Sequence, residues 1–169
     1  MREEFRILST TAILGYGFPL ASFEAGMARK PHLIAVDAGS SDPGPYYLGA
    51  GVSFTDRGAV KRDLEIMLCA AVEHHIPVVI GTAGGSGADS HVAWCREIVE
   101  EIARERNLHF PMAVIGAQIP KDTVRKAMRE GRVKPLEPAP ELTEENLEAT
   151  LVATVTPGRR LRMFWNEDC

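Results

Sequence analysis

The segment from Gly81 to Asp89 has the residue types and spacing of a loop that binds an anion. Its four glycines stand between the apolar run Val78–Ile80 and a long amphipathic stretch. Glycines let backbone N–H groups approach an anion closely, and the N-terminus of a helix adds a favourable dipole. The loop matches neither of the common glycine-rich nucleotide motifs, since it lacks both Gly-Lys-Ser/Thr and Gly-x-Gly-x-x-Gly. The predicted ligand-binding residues here are Thr82, Gly84, Gly85, Ser86, Gly87 and Asp89.

Two other interpretations of this loop stay open. One is a tight glycine turn between strand and helix, with Asp89 as the helix N-cap. The other is a nucleophile elbow, because the run from Gly84 to Ala88 is similar to Gly-x-Ser-x-Gly with alanine in the last position. No Asp and His that would complete such an elbow stand out later in the chain.

A second loop carries two carboxylates. Asp37 ends the apolar run Leu33–Val36, where partial desolvation would raise the pKa of its carboxyl group, and Asp42 follows five residues later. We predict both as catalytic residues that share general acid and base work or hold a divalent cation through their oxygens. Ser40 lies between them and is predicted to bind ligand. The alternative is that both carboxylates cap local turns.

Four further residues are predicted at the same site. His91 lies just inside the helix after the glycine loop, and it is the histidine best placed for acid and base chemistry or metal ligation; the alternative is a surface role. Gly15 and Gly17 follow the first apolar run, and Gln118 follows the fourth. We predict that these last three contribute to ligand binding.

The elements that must position these residues alternate between strands and helices. The predicted strands are Phe5–Leu14, Leu33–Asp37, Val78–Ile80, Pro111–Ile115 and Leu151–Val155. The predicted helices are Leu20–Arg29, a stretch capped by Asp56, Asp89–Asn107, Lys121–Arg129 and Thr143–Ala149, with a long loop over Ala38–Thr55. Near-continuous apolar strands separated by helices predict a doubly wound, Rossmann-like α/β fold, with a mostly parallel sheet and helices on both faces. Ligands bind such sheets at the carboxyl ends of the strands, where all the predicted site residues fall.

Composition narrows the class of protein. The 169 residues are 45% hydrophobic and 25% charged, and 19 Lys and Arg against 23 Asp and Glu give a net charge of −4. This is ordinary globular composition without the basic footprint of a nucleic-acid-binding protein. No apolar run approaches the ~20 residues of a membrane helix. Three widely spaced cysteines indicate neither a disulfide framework nor a zinc site. We predict from this composition a cytoplasmic protein that binds neither nucleic acid nor membrane. Its predicted organisation is one domain over 1–158 and a tail, 159–169, that either docks on another chain or marks a truncation.

The two loops resemble the N-terminal region of the acyclic terpene utilisation (AtuA-like) family. The likeness rests on Asp37–Gly49 and Gly81–Asp89, with support from Val60–Leu64 and Lys134–Leu136, and it covers roughly residues 5–155. The positions that match are Asp37, Ser40, Asp42, Gly84, Gly85, Gly87 and Asp89. The resemblance implies a bacterial cytoplasmic protein of branched, acyclic terpenoid catabolism, a pathway that runs through coenzyme A thioesters. Family chains continue into a second part, whereas the tail here does not match, so a truncated product, a fragment or a split subunit is expected.

These observations favour an enzyme, or part of one, that acts on a small acid or its coenzyme A thioester. A small anionic molecule is the expected partner, and a divalent cation is the alternative to direct acid and base work. Two other hypotheses stay open. One is a binding module without catalysis, and the other is a subunit that functions only as a homo-oligomer or with a partner chain.

Overall fold

The computed structural model describes residues 4–40, 45–135 and 137–151. In chain order the elements are β1 (Ile7–Ser9), α1 (Leu20–Met27), β2 (Leu33–Asp37), α2 (Pro45–Ala50), α3 (Arg57–His74), β3 (Val78–Gly81), a 3₁₀ turn (Ala83–Gly85), α4 (Asp89–Arg106), α5 (Lys121–Arg129) and α6 (Glu144–Ala149). The fold is therefore mixed α/β, as predicted, and no helix of the described residues is long and apolar enough to cross a membrane.

The sheet has three parallel strands in the order β1-β2-β3 among the described residues. Ile7 pairs with Leu33, and Ile34 pairs with Val78, so β2 is the central strand. This position explains its apolar sequence, because β2 is covered on both faces. All three strands point their carboxyl ends to one edge, and Asp37 pairs there with Gly81.

The first predicted strand, Phe5–Leu14, is too long. Only Ile7–Ser9 pairs with β2, and the chain then turns so that the Leu14 amide donates to the Asp37 carbonyl at 2.7 Å. Apolar residues 13 and 14 therefore belong to a loop that enters the core. The hydrophobic run was a correct sign of burial and a wrong sign of strand length.

Helices α3 and α4 pack against each other, and α3 contacts β3 while α4 contacts the 3₁₀ turn that follows it. Asp56 caps α3 as predicted, since its side chain accepts from the Ala59 amide at 2.9 Å, and His75 ends the helix in the left-handed conformation. Helix α4 begins at the predicted residue, but its N-cap is Ala88, so the predicted capping by Asp89 is wrong. The buried side of the two helices joins Leu14, Ile34 and Val36 in one core.

The strand predicted at Pro111–Ile115 is not formed. Residues 111–117 have no regular secondary structure, and Met112, Val114 and Ile115 are exposed. Phe110 still packs against the core, after which the chain runs beside α4. A strand needs a neighbour for its backbone groups, and no described strand pairs with this segment.

Helices α5 and α6 form where they were predicted, and Thr143 caps α6 by accepting from the Asn146 amide at 3.1 Å. Helix α2 lies within the predicted loop and was missed. Residues 152–155 of the predicted fifth strand and the tail over 159–169 lie outside the described residues.

Candidate functional site

Asp37 and the described residues of the glycine-rich loop lie together where β2 and β3 end. The Ala38 amide donates to the Gly81 carbonyl at 2.9 Å, which continues the strand pairing into the two loops. The loop after β2 then lies against the loop after β3. This contact brings Asp37 and the glycine-rich segment together, as the parallel topology predicts.

Asp37 fixes this junction with its side chain. Its Oδ1 accepts from the Gly39 amide at 2.9 Å and from the Thr82 hydroxyl. The residue is exposed, so the prediction that the strand end would desolvate its carboxylate is wrong. Among the described residues, both of these hydrogen bonds go to Oδ1, and Oδ2 accepts from none. Ser40 follows at intermediate burial, and Asp42 lies outside the described residues.

The contact between the two loops leaves no room for a side chain at Gly39. A Cβ placed there would lie 2.6 Å from the Gly85 carbonyl oxygen and 2.7 Å from Thr82 Cβ. Thr82 itself is in the left-handed conformation, with φ 45° and ψ 41°. This conformation is an outlier for a β-branched residue and costs on the order of 1–3 kcal/mol. The surrounding contacts therefore hold a strained residue at the sheet edge.

The glycines of the loop over Gly81–Asp89 form its turn and allow α4 to pack closely against it. Gly84 is buried with φ +73°, and a Cβ on it would overlap the carbonyl group of His91. Gly87, with φ +72°, lies against Ala117. The loop amides donate internally, from Gly85 to the Thr82 carbonyl at 2.8 Å and from Gly87 to the Ala83 carbonyl at 3.2 Å. These two amides therefore stabilise the turn.

Ser86 and His91 form a buried hydrogen-bonded pair. Ser86 Oγ lies 2.6 Å from His91 Nδ1, and the residues are 8% and 1% exposed. Burial lowers the pKa of His91, although the carbonyl groups of Val52 and Tyr47 act in the opposite direction. Burial therefore favours the neutral imidazole. Sequence inspection predicted both residues and missed their pairing, because it sought a histidine later in the chain than the one five residues away.

Gln118 and Asp89 meet at the start of α4. The Asp89 amide donates to Gln118 Oε1 at 3.0 Å, so this glutamine completes the helix N-terminus that no N-cap side chain serves. The Ala117 amide donates to the Gly87 carbonyl at 3.1 Å and ties the same segment to the glycine loop. Beside them, an open cleft of about 490 Å³ runs along α4, lined by Asp89, Val92, Arg96, Glu97, Val114 and Gly116.

Gly15 and Gly17 serve a different contact. Their amides donate to one oxygen of Asp63, Oδ2, at 3.0 and 2.9 Å. Asp63 is fully buried on α3, and its other oxygen has no hydrogen-bond partner among the described residues. The hydrogen bond from Leu14 to Asp37 holds the loop that contains both glycines near the sheet edge. The N–H groups of Gly15 and Gly17 themselves bind this loop to α3. Asp63 was missed, although its position between Val60 and Leu64 in an apolar stripe marks a buried carboxylate.

Within residues 4–40, 45–135 and 137–151, no group of three or more His, Cys, Asp or Glu side chains is arranged to hold an ion. The predicted pair of Asp37 and Asp42 extends beyond these residues, so the divalent cation stays a prediction.

Fold and site together define a mixed α/β protein whose loops meet at the carboxyl edge of a parallel sheet around a strained threonine and a carboxylate. Comparison with known proteins returned no matching family model, curated protein or solved structure.

Proposed function

We propose that this chain binds a small acid or its coenzyme A thioester at the carboxyl edge of the sheet, as an AtuA-like protein or a subunit of one. The observation that carries this proposal is the pair formed by Asp37 and Thr82. A threonine in the left-handed conformation is costly, and such strain clusters at sites of binding and catalysis. Here it lies at the edge where parallel α/β sheets bind ligands.

The chemistry of the edge suits a carboxylate or a thioester carbonyl. The N-terminus of α4, an 18-residue helix, faces the same loops, and its dipole favours a negative charge. Asp37 has a second oxygen that no described residue binds, which we propose accepts or returns a proton, and Asp42 is the second predicted carboxylate. The resemblance to the AtuA-like family supplies the substrate class and the setting, which is terpenoid catabolism in the bacterial cytoplasm.

We further propose that the three strands belong to a doubly wound, Rossmann-like sheet with helices on both faces. The order β1-β2-β3 with a helix in each crossover corresponds to one βαβαβ half of such a fold. In that topology the next strand adds beside β1. Ile7 on this strand is 59% exposed, which agrees with an edge that receives a neighbour.

A second candidate is a subunit that acts only with another chain, whether a second copy or the second part expected from the family resemblance. Met112, Val114 and Ile115 support it, because three large apolar side chains are exposed in a segment with strand-like sequence. Unpaired segments of this kind invite pairing between chains. Measuring the mass of the protein in solution tests for a second copy of the chain. A monomer with no larger species would reject the homo-oligomer.

Thermal melting of the purified chain tests the proposed function. The panel is coenzyme A, acyl-coenzyme A esters, short mono- and dicarboxylates, nucleotides and divalent cations. A ligand at ~100 times its dissociation constant adds about 2.7 kcal/mol to the free energy of unfolding, which raises the melting temperature by several degrees. We expect a thioester or an acid to give this shift.

Asp37→Asn then locates the ligand. The amide keeps an oxygen for Gly39 and Thr82 but puts an NH2 group in place of the second carboxylate oxygen, which can then accept neither a hydrogen bond nor a proton from the ligand. We therefore expect the shift to disappear while the melting temperature of the free protein changes little. Asp122→Asn is the matched control, since the Asp122 side chain is 91% exposed on α5. A shift of equal size in wild type and Asp37→Asn would place the ligand elsewhere, and no shift with any compound would reject the proposal.

A further inference from the structure

We propose that Ser86 and His91 are a nucleophile and its general base, and that the site transfers a small acyl group through an ester on Ser86. This inference rests on the proposed function for its substrate class, an activated acyl compound such as a thioester. The distance of 2.6 Å between Ser86 Oγ and His91 Nδ1 is that of a nucleophile and base in contact.

The histidine is held in the form that a base requires. Burial favours the neutral ring, and we assign its proton to Nε2, which leaves the lone pair on Nδ1 to accept from the Ser86 hydroxyl. Nε2 is buried without a hydrogen-bond partner among the described residues, and the backbone carbonyl groups of Val52 and Tyr47 act to raise the pKa of the ring. As Nδ1 gains a proton, these carbonyl dipoles stabilise the imidazolium. They take the place of the carboxylate that orients histidine in hydrolases.

The serine sits on a turn that presents its hydroxyl. Gly85 and Gly87 flank it with φ +123° and +72°, conformations that L side chains rarely adopt. The Ala88 amide donates to Ser86 Oγ at 3.2 Å. With the imidazole proton assigned to Nε2, the same oxygen donates its own proton to His91 Nδ1. An N–H directed at this oxygen stabilises the negative charge that develops on it as the proton leaves.

The reaction balances with groups already named. Ser86 Oγ attacks the thioester carbonyl, and its proton passes to His91 Nδ1. When the tetrahedral intermediate collapses, the C–S bond breaks and the thiolate takes the proton from Nδ1, which leaves an acyl ester on Ser86. Water then attacks this ester, with His91 accepting the water proton and returning it to Oγ. The products are a free thiol and a carboxylic acid.

Burial restricts the substrate to a small acyl group. Ser86 is 8% exposed, and Phe54 lies close to the same turn, since a Cβ on Gly85 would be 3.7 Å from the His91 ring and 3.8 Å from the Phe54 ring. Phe54 in turn packs against Tyr47, with ring centroids 6.1 Å apart. An acetyl group needs little space beside the hydroxyl, whereas a long chain would have to displace these rings.

The test uses the whole chain and p-nitrophenyl acetate. We expect a burst of p-nitrophenolate close to one equivalent, a mass increase of one acetyl group, and the modification on the peptide that contains Ser86. p-Nitrophenyl octanoate should acylate far more slowly. Ser86→Ala should abolish the burst, and His91→Gln should lower the acylation rate by about 100-fold or more. Ser90→Ala is the matched control, because Ser90 is in the same segment and its hydroxyl donates to the Gly51 carbonyl.

Two results would overturn this inference. One is folded wild-type protein that shows no ester on Ser86, because a hydroxyl that only fixes the loop does not react. The other is acetylation of lysine or cysteine alone, which gives turnover that Ser86→Ala leaves unchanged. Peptide mapping of the wild type settles both without any variant that must fold. The thermal shift with thioesters and its loss in Asp37→Asn are measured separately, so failure of acyl transfer is distinguishable from failure of ligand binding.

Discussion

The chain before residue 111 and the chain after it are stabilised in different ways. Every buried member of the hydrophobic core lies between Leu14 and Ile102, and Leu108 and Phe110 pack against it. After Phe110, helix α5 has no buried residue and α6 has only Leu147. Ion pairs occur in both regions. In the first region they lie over a core, and in the second they are the main contacts between helices.

Two clusters of charge show this difference. Glu101 on α4 bonds to Arg57 and Lys61 on α3, and these hydrogen bonds lower its pKa to about 2. The same helices are joined beneath by buried Leu64 and Ile98. Arg125 on α5 bonds to Glu144 and Glu148 on α6 without such a layer. Exposed ion pairs contribute little stability by themselves, so the second region should open long before the first.

The largest expected effect comes from truncating the core of the first region. Ile98→Ala removes a side chain with 0% exposure and should lower the free energy of unfolding by about 2–5 kcal/mol. Ile115→Ala is the matched control in the second region, because its side chain is 62% exposed; the expected change is below about 0.5 kcal/mol. Urea unfolding measures both. A large loss for Ile115→Ala would show that this segment is covered in solution and would favour the oligomer.

The buried carboxylate of Asp63 is the next test of the first region. Asp63→Ala leaves the Gly15 and Gly17 amides without their acceptor, and we expect a loss of roughly 2–4 kcal/mol. One oxygen accepts both bonds, so the single oxygen of Asp63→Asn should retain much of the stability. Denaturant unfolding of wild type, Asp63→Ala and Asp63→Asn measures the free energy lost in each variant. Equal losses for the two variants would mean that the charge, not the acceptor, holds the loop.

The same contrast explains which elements were predictable from the sequence. The long stripes of α3 and α4 and the apolar run of β2 gave correct elements, because burial against a core imposes a period on the sequence. Pro111–Ile115 has strand-like composition, yet a strand also needs a partner, and composition does not show one. Helix α2 was missed because six residues, one of them a glycine, are too few to show the apolar periodicity of a helix.

The site was predictable to the extent that it follows from topology. Asp37 and the glycine loop had to meet at the carboxyl edge of a parallel sheet. The left-handed Thr82 and the bond between Ser86 and His91 depend on how the turn closes, which residue types alone do not specify. The donors to Asp63 were equally hidden, because Gly15 and Gly17 lie far from it in sequence.

A smaller effect concerns alkaline pH. Burial raises the pKa of Cys95 from 9.0 to about 11, so the folded protein resists losing this proton more than the unfolded chain does. Its contribution to stability is therefore complete below pH 9 and falls by about 2–3 kcal/mol as the pH rises to 11. Cys95→Ala should flatten the fall in stability over this range, which urea unfolding at a series of pH values measures. Parallel slopes for wild type and Cys95→Ala would contradict the assignment.

The smallest effect should appear only in the second region. Arg125→Ala removes the bonds that join α5 to α6, and we expect faster amide hydrogen exchange over 121–129 and 144–149 with no change in the midpoint of global unfolding. High salt should speed the same amides in wild type, because it screens exposed charges. Arg96→Ala breaks an ion pair of α4, which lies over the core, so exchange in α4 should stay slow. If Arg125→Ala instead lowers the global midpoint, the two regions unfold together, and the ion pairs of α5 and α6 belong to the same cooperative unit as the core.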